Sequence, residues 1–463
     1  MIEELTSVQG FFSTPTVPGV YCCGTLVYSP TEGIRLELLG HLGAKGYYPR
    51  GERKLDVIHG TLENGKLVSL FGCRGYESTR MPGYGKSKLS AELLVYGVKA
   101  DKLDDLKVRT GICRFVNQED WIDRRGLRAS STRDDSPKYK VTFKQPKAIS
   151  VVDTTQFKLL IWFSYSIPIG SRLRSIDERF EVKSYFNYQY KHPVSVSQFL
   201  DDTKTLEHFL GLVTNQSTPL SYSSITTIDH PKHHDGFQLF YYHHPIQPSE
   251  RELYDEDFLF TFKQMKPRLP RLYGQWMALH EKVRTALDLY FDHLYDTTRY
   301  EINKFVYYSF AFESIHRRMN KGYKKYPAVE YAKLCDRLIE ATPKKYKRHV
   351  ASSVRNRNDF SLSERYASVL DELRSTNRFF DSEKVTKYLK KIVASRNHMA
   401  HDGTLGDGSD KYVTDENVWQ YNMLLQLIIT YALLRESGIS KRSLTQALNK
   451  PRMFGFLSGR DGM

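Results

Sequence analysis

The chain reads as an α+β multidomain protein, a β-rich N-terminal region followed by an all-α helical bundle. Three observations predict this. The spacing of apolar residues changes from a period of 2 to a period of 3.6 near residue 260. The segment "KPRLPRL", with two prolines, marks the change. The 463 residues suffice for two or three domains with substantial cores. We place a β-rich domain at 1–260, the bundle at 261–450 and a C-terminal tail at 451–463.

In the first region, "GVYCCGTLVYS", "IRLELLG", "LDVIHGTLENGKLVSLFGC" and "KYKVTFKQP" are short β-branched and aromatic runs broken by turns such as Glu63-Asn64-Gly65. "FKLLIWFSYSIP" and "RFEVKSYFNYQY" repeat the pattern. One helix interrupts it, "SVSQFLDDTKTLEHFLGLV", with Ser197 as N-cap and Phe199, Leu206, Phe209, Leu210 and Val213 on its apolar face. The polar segment 123–138 is short of core formers and reads as a loop.

In the second region, "YGQWMALHEKVRTALDLYFDHLY" puts Trp276, Leu279, Val283, Leu287, Tyr290 and Leu294 on one face. "EINKFVYYSFAFESIHRRM" follows, then "PAVEYAKLCDRLIEAT", with Pro327 suited to a first turn. After a basic connector come "DSEKVTKYLKKIVASRNHMAH" and "DENVWQYNMLLQLIITYALLRESG", with Asp415 near the start of the last and Gly438 at its end. About five helices with short loops make a compact bundle.

Five cysteines without a CxxC pair point to a reducing cytoplasm rather than a disulfide framework or a cysteine zinc site. The acidic start "MIEELTSVQG" lacks the order of a signal peptide, and "LLQLIITYALL" is too short to span a bilayer. We therefore expect a soluble, cytoplasmic protein with no membrane partner. The net charge is +15, and much of the excess is concentrated in 317–357, where 13 basic residues face 3 acidic ones. Arg317, Arg318, Lys324, Lys325, Lys344, Lys345, Lys347 and Arg348, interleaved with Tyr323, Tyr326 and Tyr346, form a patch suited to phosphates and bases, hence to RNA or DNA. A solvated lysine face is the plainer alternative.

The stretch "KKIVASRNHMAHDG" is the most informative. Val385, Leu389, Ile392 and Met399 recur at helical spacing, and the missing member of the stripe is Arg396. A charge there is costly unless it is paired or faces a cavity or interface. Asn397 and His401 share an adjacent face, His398 lies between them, and Gly403 can end the helix in the left-handed conformation. A guanidinium and an imidazole at a helix end suit metal-free RNA cleavage. The histidine moves a proton while the ribose 2′-hydroxyl attacks the phosphate, and the arginine offsets the charge that grows on it. One histidine covers one of the two proton transfers, so the chemistry predicts a homodimer.

"RNHMAH" has the Arg-Asn-x-x-x-His form of the HEPN superfamily, and one further long helix follows it. A β-rich front half before such a bundle resembles the ApeA anti-phage defence family. The resemblance spans the domain order of nearly the whole chain, but only Arg396, Asn397 and His401 match a specific motif. It implies an endoribonuclease with Arg396 and His401 catalytic, Asn397 positioning them, and a composite site across a dimer. It further implies Glu313 as an acidic supporting residue, beside His398 as a second supporting candidate, tRNA as a target, and a phage-derived trigger acting on a sensing N-terminal domain. The i,i+4 spacing of Glu313 and Arg317 suits a plain salt bridge equally well.

Two further signals are weak. "GYGKSK" at 83–88 lacks the first glycine of a phosphate loop, since Arg80 stands there. His230, His233, His234, His243 and His244 match no standard zinc spacing. We expect no metal and no cofactor. The competing reading is a regulatory protein that binds nucleic acid or nucleotides without cutting them and dimerises through its helices. A purely structural dimerisation bundle is the third.

Overall fold

The computed structural model describes residues 5–17, 19–29, 32–42, 53–81, 84–124, 126–131, 139–166, 181–229, 236–241, 253–295, 300–355, 357–375, 380, 383–405 and 409–450. The chain separates into two compact units, 1–274 and 275–463.

The first unit opens with β1 (Leu5–Ser13), β2 (Cys22–Ser29), β3 (Gly33–Leu39), β4 (Arg53–Leu62), β5 (Leu67–Met81), β6 (Tyr84–Ala91) and β7 (Leu93–Tyr96). Hairpin pairing in the order β5-β4-β1-β2-β3-β6 returns to β5, which closes a six-stranded antiparallel barrel. Alternate residues fill it: Leu26 and Tyr28 from β2, Ile34, Leu36 and Leu38 from β3, and Val68 and Leu70 from β5 are all buried. Closure depends on β5 changing neighbours. Its first half pairs with β7 and its second with β6. The exchange falls at Gly72, whose φ of 64° lies in the left-handed region that strains any other residue.

A second, open sheet runs on from β7. It adds β8 (Val108–Phe115), β11 (Ile149–Asp153), β12 (Phe157–Ser166), β13 (Glu181–Val194), β14 (Leu220–Thr227) and β15 (Phe237–Tyr241) in the order β11-β12-β13-β8-β14-β15-β7. Between β8 and β11 lie a short helix, α1 (Gln118–Ile122), and the separate hairpin β9 (Leu127–Ser131) with β10 (Tyr139–Phe143). Helix α2 (Val196–Thr214) buries Phe199, Leu206, Phe209, Leu210 and Val213. The ring of Phe199 presses so close to Gly111 of β8 that a β-carbon there would lie 2.2 Å from it.

The second region is helical. After α3 (Phe262–Met265) and a 3-10 turn at Lys266–Arg268 come α4 (Leu269–Tyr295), α5 (Glu301–Met319), α6 (Ala328–Ala341), α7 (Lys347–Arg355), α8 (Leu362–Arg374), α9 (Glu383–Asp402), α10 (Val418–Glu436) and α11 (Lys441–Leu448). Helix α10 is the centre: Leu424, Leu425, Leu427, Ile428, Ile429, Leu433 and Leu434 bury every face. It packs on α5 and α8, while α9 packs on the same two helices. Tyr290 of α4 and Thr430 of α10 share a hydroxyl hydrogen bond of 3.0 Å in this interior. Helices α6 and α7 pack on each other, tied by Tyr331, whose hydroxyl donates to the Val354 carbonyl at 2.6 Å.

The expected order of a β-rich front and a helical back is what the chain builds. Several local expectations need correction. The N-cap of α2 is Ser195, not Ser197, because Ser195 is extended and its hydroxyl accepts from the Gln198 amide at 3.1 Å. Part of the loop expected at 123–138 is strand β9, which gains a ladder from β10 despite its polar residues. The basic connector contains both α7 and α8, so among the described residues eight helices follow the short α3 where about five were expected. The prolines of "KPRLPRL" fall in a 3-10 turn and the first turn of α4, where their missing amides cost nothing. Tyr84 to Lys88 belong to strand β6. The cluster His230, His233, His234, His243 and His244 lies outside the described residues. Among those described, no helix is long and apolar enough to cross a membrane.

Candidate functional site

The site is built where α9 crosses α5 and α8. On α9 the apolar stripe holds: Val385, Leu389 and Ile392 are buried. Arg396 continues that stripe with its side chain 20% exposed. On α5, Phe305, Tyr308, Phe312 and Ile315 face the core and leave Glu313 at its margin, 19% exposed.

Glu313 and Arg396 meet directly. Nη2 of Arg396 donates to Oε2 of Glu313. Oε1 of the same carboxylate accepts from Arg317 Nη2 at 2.9 Å. One acid therefore holds two guanidinium groups, one from its own helix and one from α9. Nη1 of Arg396 donates to Asn397 Oδ1 at 3.1 Å, and its guanidinium carbon lies 4.9 Å from the centre of the Phe310 ring. Nε of Arg396 is buried without a partner among the described residues.

His401 is exposed and makes no hydrogen bond among the described residues. Five residues along an α-helix turn a side chain through about 140°. So Arg396 faces α5 while His401, at the end of α9, faces solvent. Gly403, at φ 75°, closes the helix through its amide, which donates to the Met399 carbonyl at 3.1 Å. His398 turns another way: Nδ1 lies 3.1 Å from the Thr404 carbonyl, Nε2 lies 3.6 Å from Asp402, and the ring meets Tyr412 edge-on. The structure thus brings Arg396, Asn397 and Glu313 together and leaves His398 and His401 outside that contact.

Behind Glu313 lies a buried pair absent from the sequence reading. Arg365 of α8, 4% exposed, donates from Nη1 to His316 Nδ1 at 3.2 Å. His316 Nε2 lies 3.0 Å from Ser368 Oγ, which itself donates to the Arg365 carbonyl at 2.8 Å. An imidazole that accepts from a guanidinium must be neutral. Burial, and then the Arg365 charge, accordingly hold His316 down to about 4. No carboxylate among the described residues lies within ion-pair distance of Arg365, and its Nε has no partner. Tyr366, next along α8, stacks on Phe312 at 4.3 Å, and burial pushes its hydroxyl well above the usual range. The missed signal was in the sequence. Ser361 and Glu364 form a capping box, followed by Leu362, Tyr366, Leu370 and Leu373 at helical spacing.

The predicted basic patch divides in two. Arg317 is tied to Glu313, Lys324 to Asp359, and Lys325 to Glu364 at 2.7 Å. Arg318 donates to the Lys282 carbonyl at 3.3 Å. By contrast, Lys344, Lys345 and Arg348 are exposed and Lys347 half-buried, and none has an acidic partner among the described residues. Lys345 lies 5.5 Å from the centre of the Tyr346 ring. Among the described residues no three His, Cys, Asp or Glu side chains are grouped so as to hold a metal ion.

The side chains that meet where α9 crosses α5 and α8 lie within residues 308–443, which match the family model for the Apea-like HEPN domain. Residues 7–276 match that for ApeA N-terminal domain 1, and the chain belongs to the ApeA family. That membership carries a nuclease-like role in anti-phage defence. No curated protein and no solved structure matches the chain.

Proposed function

We propose that the protein is an endoribonuclease of anti-phage defence that cuts RNA, with tRNA as the substrate class, by attack of a ribose 2′-hydroxyl on the adjacent phosphate. The 2′-oxygen loses its proton to a His401 imidazole as the new P–O bond forms. The P–O5′ bond breaks, and the 5′-oxygen takes a proton from a second imidazole. The products are a 2′,3′-cyclic phosphate and a 5′-hydroxyl. Arg396 stabilises the charge that gathers on the phosphoryl oxygens, with Glu313 and Asn397 fixing its guanidinium. The residues carry the whole reaction, so no metal is required.

The observation that carries this reading is the clamping of Arg396 by Glu313 while His401 stands exposed and unpartnered on the same helix. Within one chain the two groups point apart by about 140°. A two-fold pairing of α9 ends supplies a second imidazole, and the site is complete only in such a homodimer. The cytoplasm is where this RNA would be met. The exposed cations around α7 are the track for the strand.

The test is to sequence RNA ends from cells expressing wild type and His401→Ala. New cyclic-phosphate ends that vanish in His401→Ala, and cleavage by the purified protein that persists in EDTA, are expected. The rival, a binding protein that does not cut, is favoured by the unpaired α7 cations alone. It predicts RNA affinity without new ends in either strain.

A further inference from the structure

A concavity of about 820 Å³ lies in the N-terminal unit. That falls in the range of about 300–1,000 Å³ typical of small-molecule sites. It is bounded by the end of α1, the β9–β10 hairpin and the segment after it, and the α3 turn. Six cations line it: Arg124, Arg128, Lys144, Lys147, Lys263 and Lys266. Two acids, Asp123 and Asp255, share the lining. None of the six cations makes an ion pair or a side-chain hydrogen bond with a described residue, and all six are exposed. Elsewhere in the same unit some exposed cations are paired, as Arg35 with Glu32 and Lys191 with Asp153, while others, such as Lys54, Lys66 and Lys102, have no acidic partner among the described residues; what sets the six apart is that they share one hollow.

Six like charges around one hollow repel each other, and the surrounding low-dielectric wall focuses their field into it. Such an arrangement costs stability unless an anion of several charges occupies it. A monoanion would offset too little. One part of the wall is apolar: Trp121, Ile122 and Phe262, with Trp121 and Phe262 edge to face at 5.2 Å and the indole donating to the Phe260 carbonyl at 2.9 Å. These three side chains are themselves buried, so they fix the floor beneath a multiply charged rim.

We propose that this cavity is a binding site for a polyphosphorylated nucleotide, either free or at the end of a strand. The phosphates sit among Lys144 and Lys147 after β10, Lys263 and Lys266 at the α3 turn, and the two arginines, and the nucleoside lies on the Trp121 side. The site belongs to the N-terminal unit and is independent of the reaction assigned to α5 and α9.

The test uses the full chain carrying His401→Ala and with Lys344, Lys345, Lys347 and Arg348 replaced by Ala, so that neither cleavage nor the α7 patch contributes. Two probes are titrated calorimetrically, ATP and a single-stranded 12-nucleotide RNA bearing a 5′-triphosphate. Each is measured against Lys144→Glu/Lys147→Glu, against Lys263→Glu/Lys266→Glu, and against Lys54→Glu/Lys66→Glu on the barrel as a control of equal charge. Gln replacements of the same lysines repeat the measurement with a smaller perturbation, and thermal melting verifies folding.

We expect at least one probe to bind, with affinity falling at least about tenfold in each cavity double variant, as removal of two charge-assisted contacts requires. The barrel control should change by less than about twofold, because neither Lys54 nor Lys66 lines the cavity and exposed charges are screened by salt. Tight ATP binding identifies a free nucleotide as the ligand, whereas binding of the RNA alone identifies a strand end. Absence of binding by both probes at millimolar concentration, or an equal loss in the barrel control, overturns the proposal.

Discussion

Arg396 of α9 is anchored to Glu313 of α5, and Glu313 is itself shared with Arg317 one turn further along α5. The acid thus sits between a guanidinium that is 20% exposed and one that is 62% exposed. The two arginines are not equivalent. Arg396 is wedged against Phe310 and Asn397 and pairs with no other carboxylate among the described residues. Arg317 is a surface residue whose charge water can solvate.

Removing the acid should therefore hurt through Arg396. Glu313→Ala leaves a half-buried guanidinium unpaired and is expected to cost about 1–3 kcal/mol. At roughly 2–4 °C per kcal/mol for a unit of this size, the melting temperature should fall by several degrees. Arg317→Ala breaks an exposed i,i+4 pair and should cost less than about 0.5 kcal/mol. RNA cleavage should fall in Glu313→Ala and survive in Arg317→Ala. Cleavage at the wild-type rate by folded Glu313→Ala would reduce the acid to a structural prop.

His401 gives the reverse pattern. It is exposed and hydrogen-bonds to nothing among the described residues, so His401→Ala should leave stability within about 0.5 kcal/mol. The loss of a proton-transfer group should lower the cleavage rate by about 10²–10⁴-fold. On the proposed composite site, wild-type activity per chain should rise with protein concentration until the dimer saturates. Activity independent of concentration, down to concentrations where sedimentation shows monomer, would rule out the composite site.

The buried pair behind the site makes stability depend on pH. His316 is held near 4 in the folded chain against an ordinary value of 6.5, by burial and by Arg365. Between those values the unfolded chain takes up a proton that the folded chain refuses. Stability from this group is therefore complete above about 6.5 and is lost as the pH falls toward about 4. His316→Gln retains an amide that can accept from Arg365 but cannot titrate. Urea midpoints at pH 7 and pH 5 should differ less in the variant than in wild type. An identical difference in both would show that acid sensitivity arises elsewhere.

These contacts mark what the sequence made legible and what it did not. Arg396 stood out because Val385, Leu389, Ile392 and Met399 left one stripe position unfilled, and Gly403 announced where α9 stops. The partner of Arg396 was not legible, since Glu313 lies 83 residues away and local spacing offered it Arg317 instead. Both pairs exist at once. Arg365 and His316 were hidden for a different reason: α8 follows a run of lysines that draws attention to charge, although its capping box and its 4-4-3 apolar spacing were present. The strands were legible from their alternation, but barrel closure was not. It depends on a single exchange of neighbours at Gly72, which no period in the sequence announces.

The basic patch yields the last prediction, because pairing divides cations that composition treats alike. Lys324 and Lys325 already have Asp359 and Glu364, so contact with a phosphate requires breaking those pairs. Lys344, Lys345, Lys347 and Arg348 have no acidic partner to leave among the described residues. Each phosphate contact to a single strand contributes about 0.7 to the slope of log affinity against log salt. Replacing the four α7-side cations by Ala should lower that slope by about 2–3 if all four touch the strand. Replacing Lys324 and Lys325 should change it by less than about 1, since neither touches a phosphate while it is held by its acid. The measurement is anisotropy of a labelled RNA on His401→Ala protein across a salt series. An unchanged slope in the fourfold variant, or a larger change in the Lys324 and Lys325 variant, would place the RNA track away from α7.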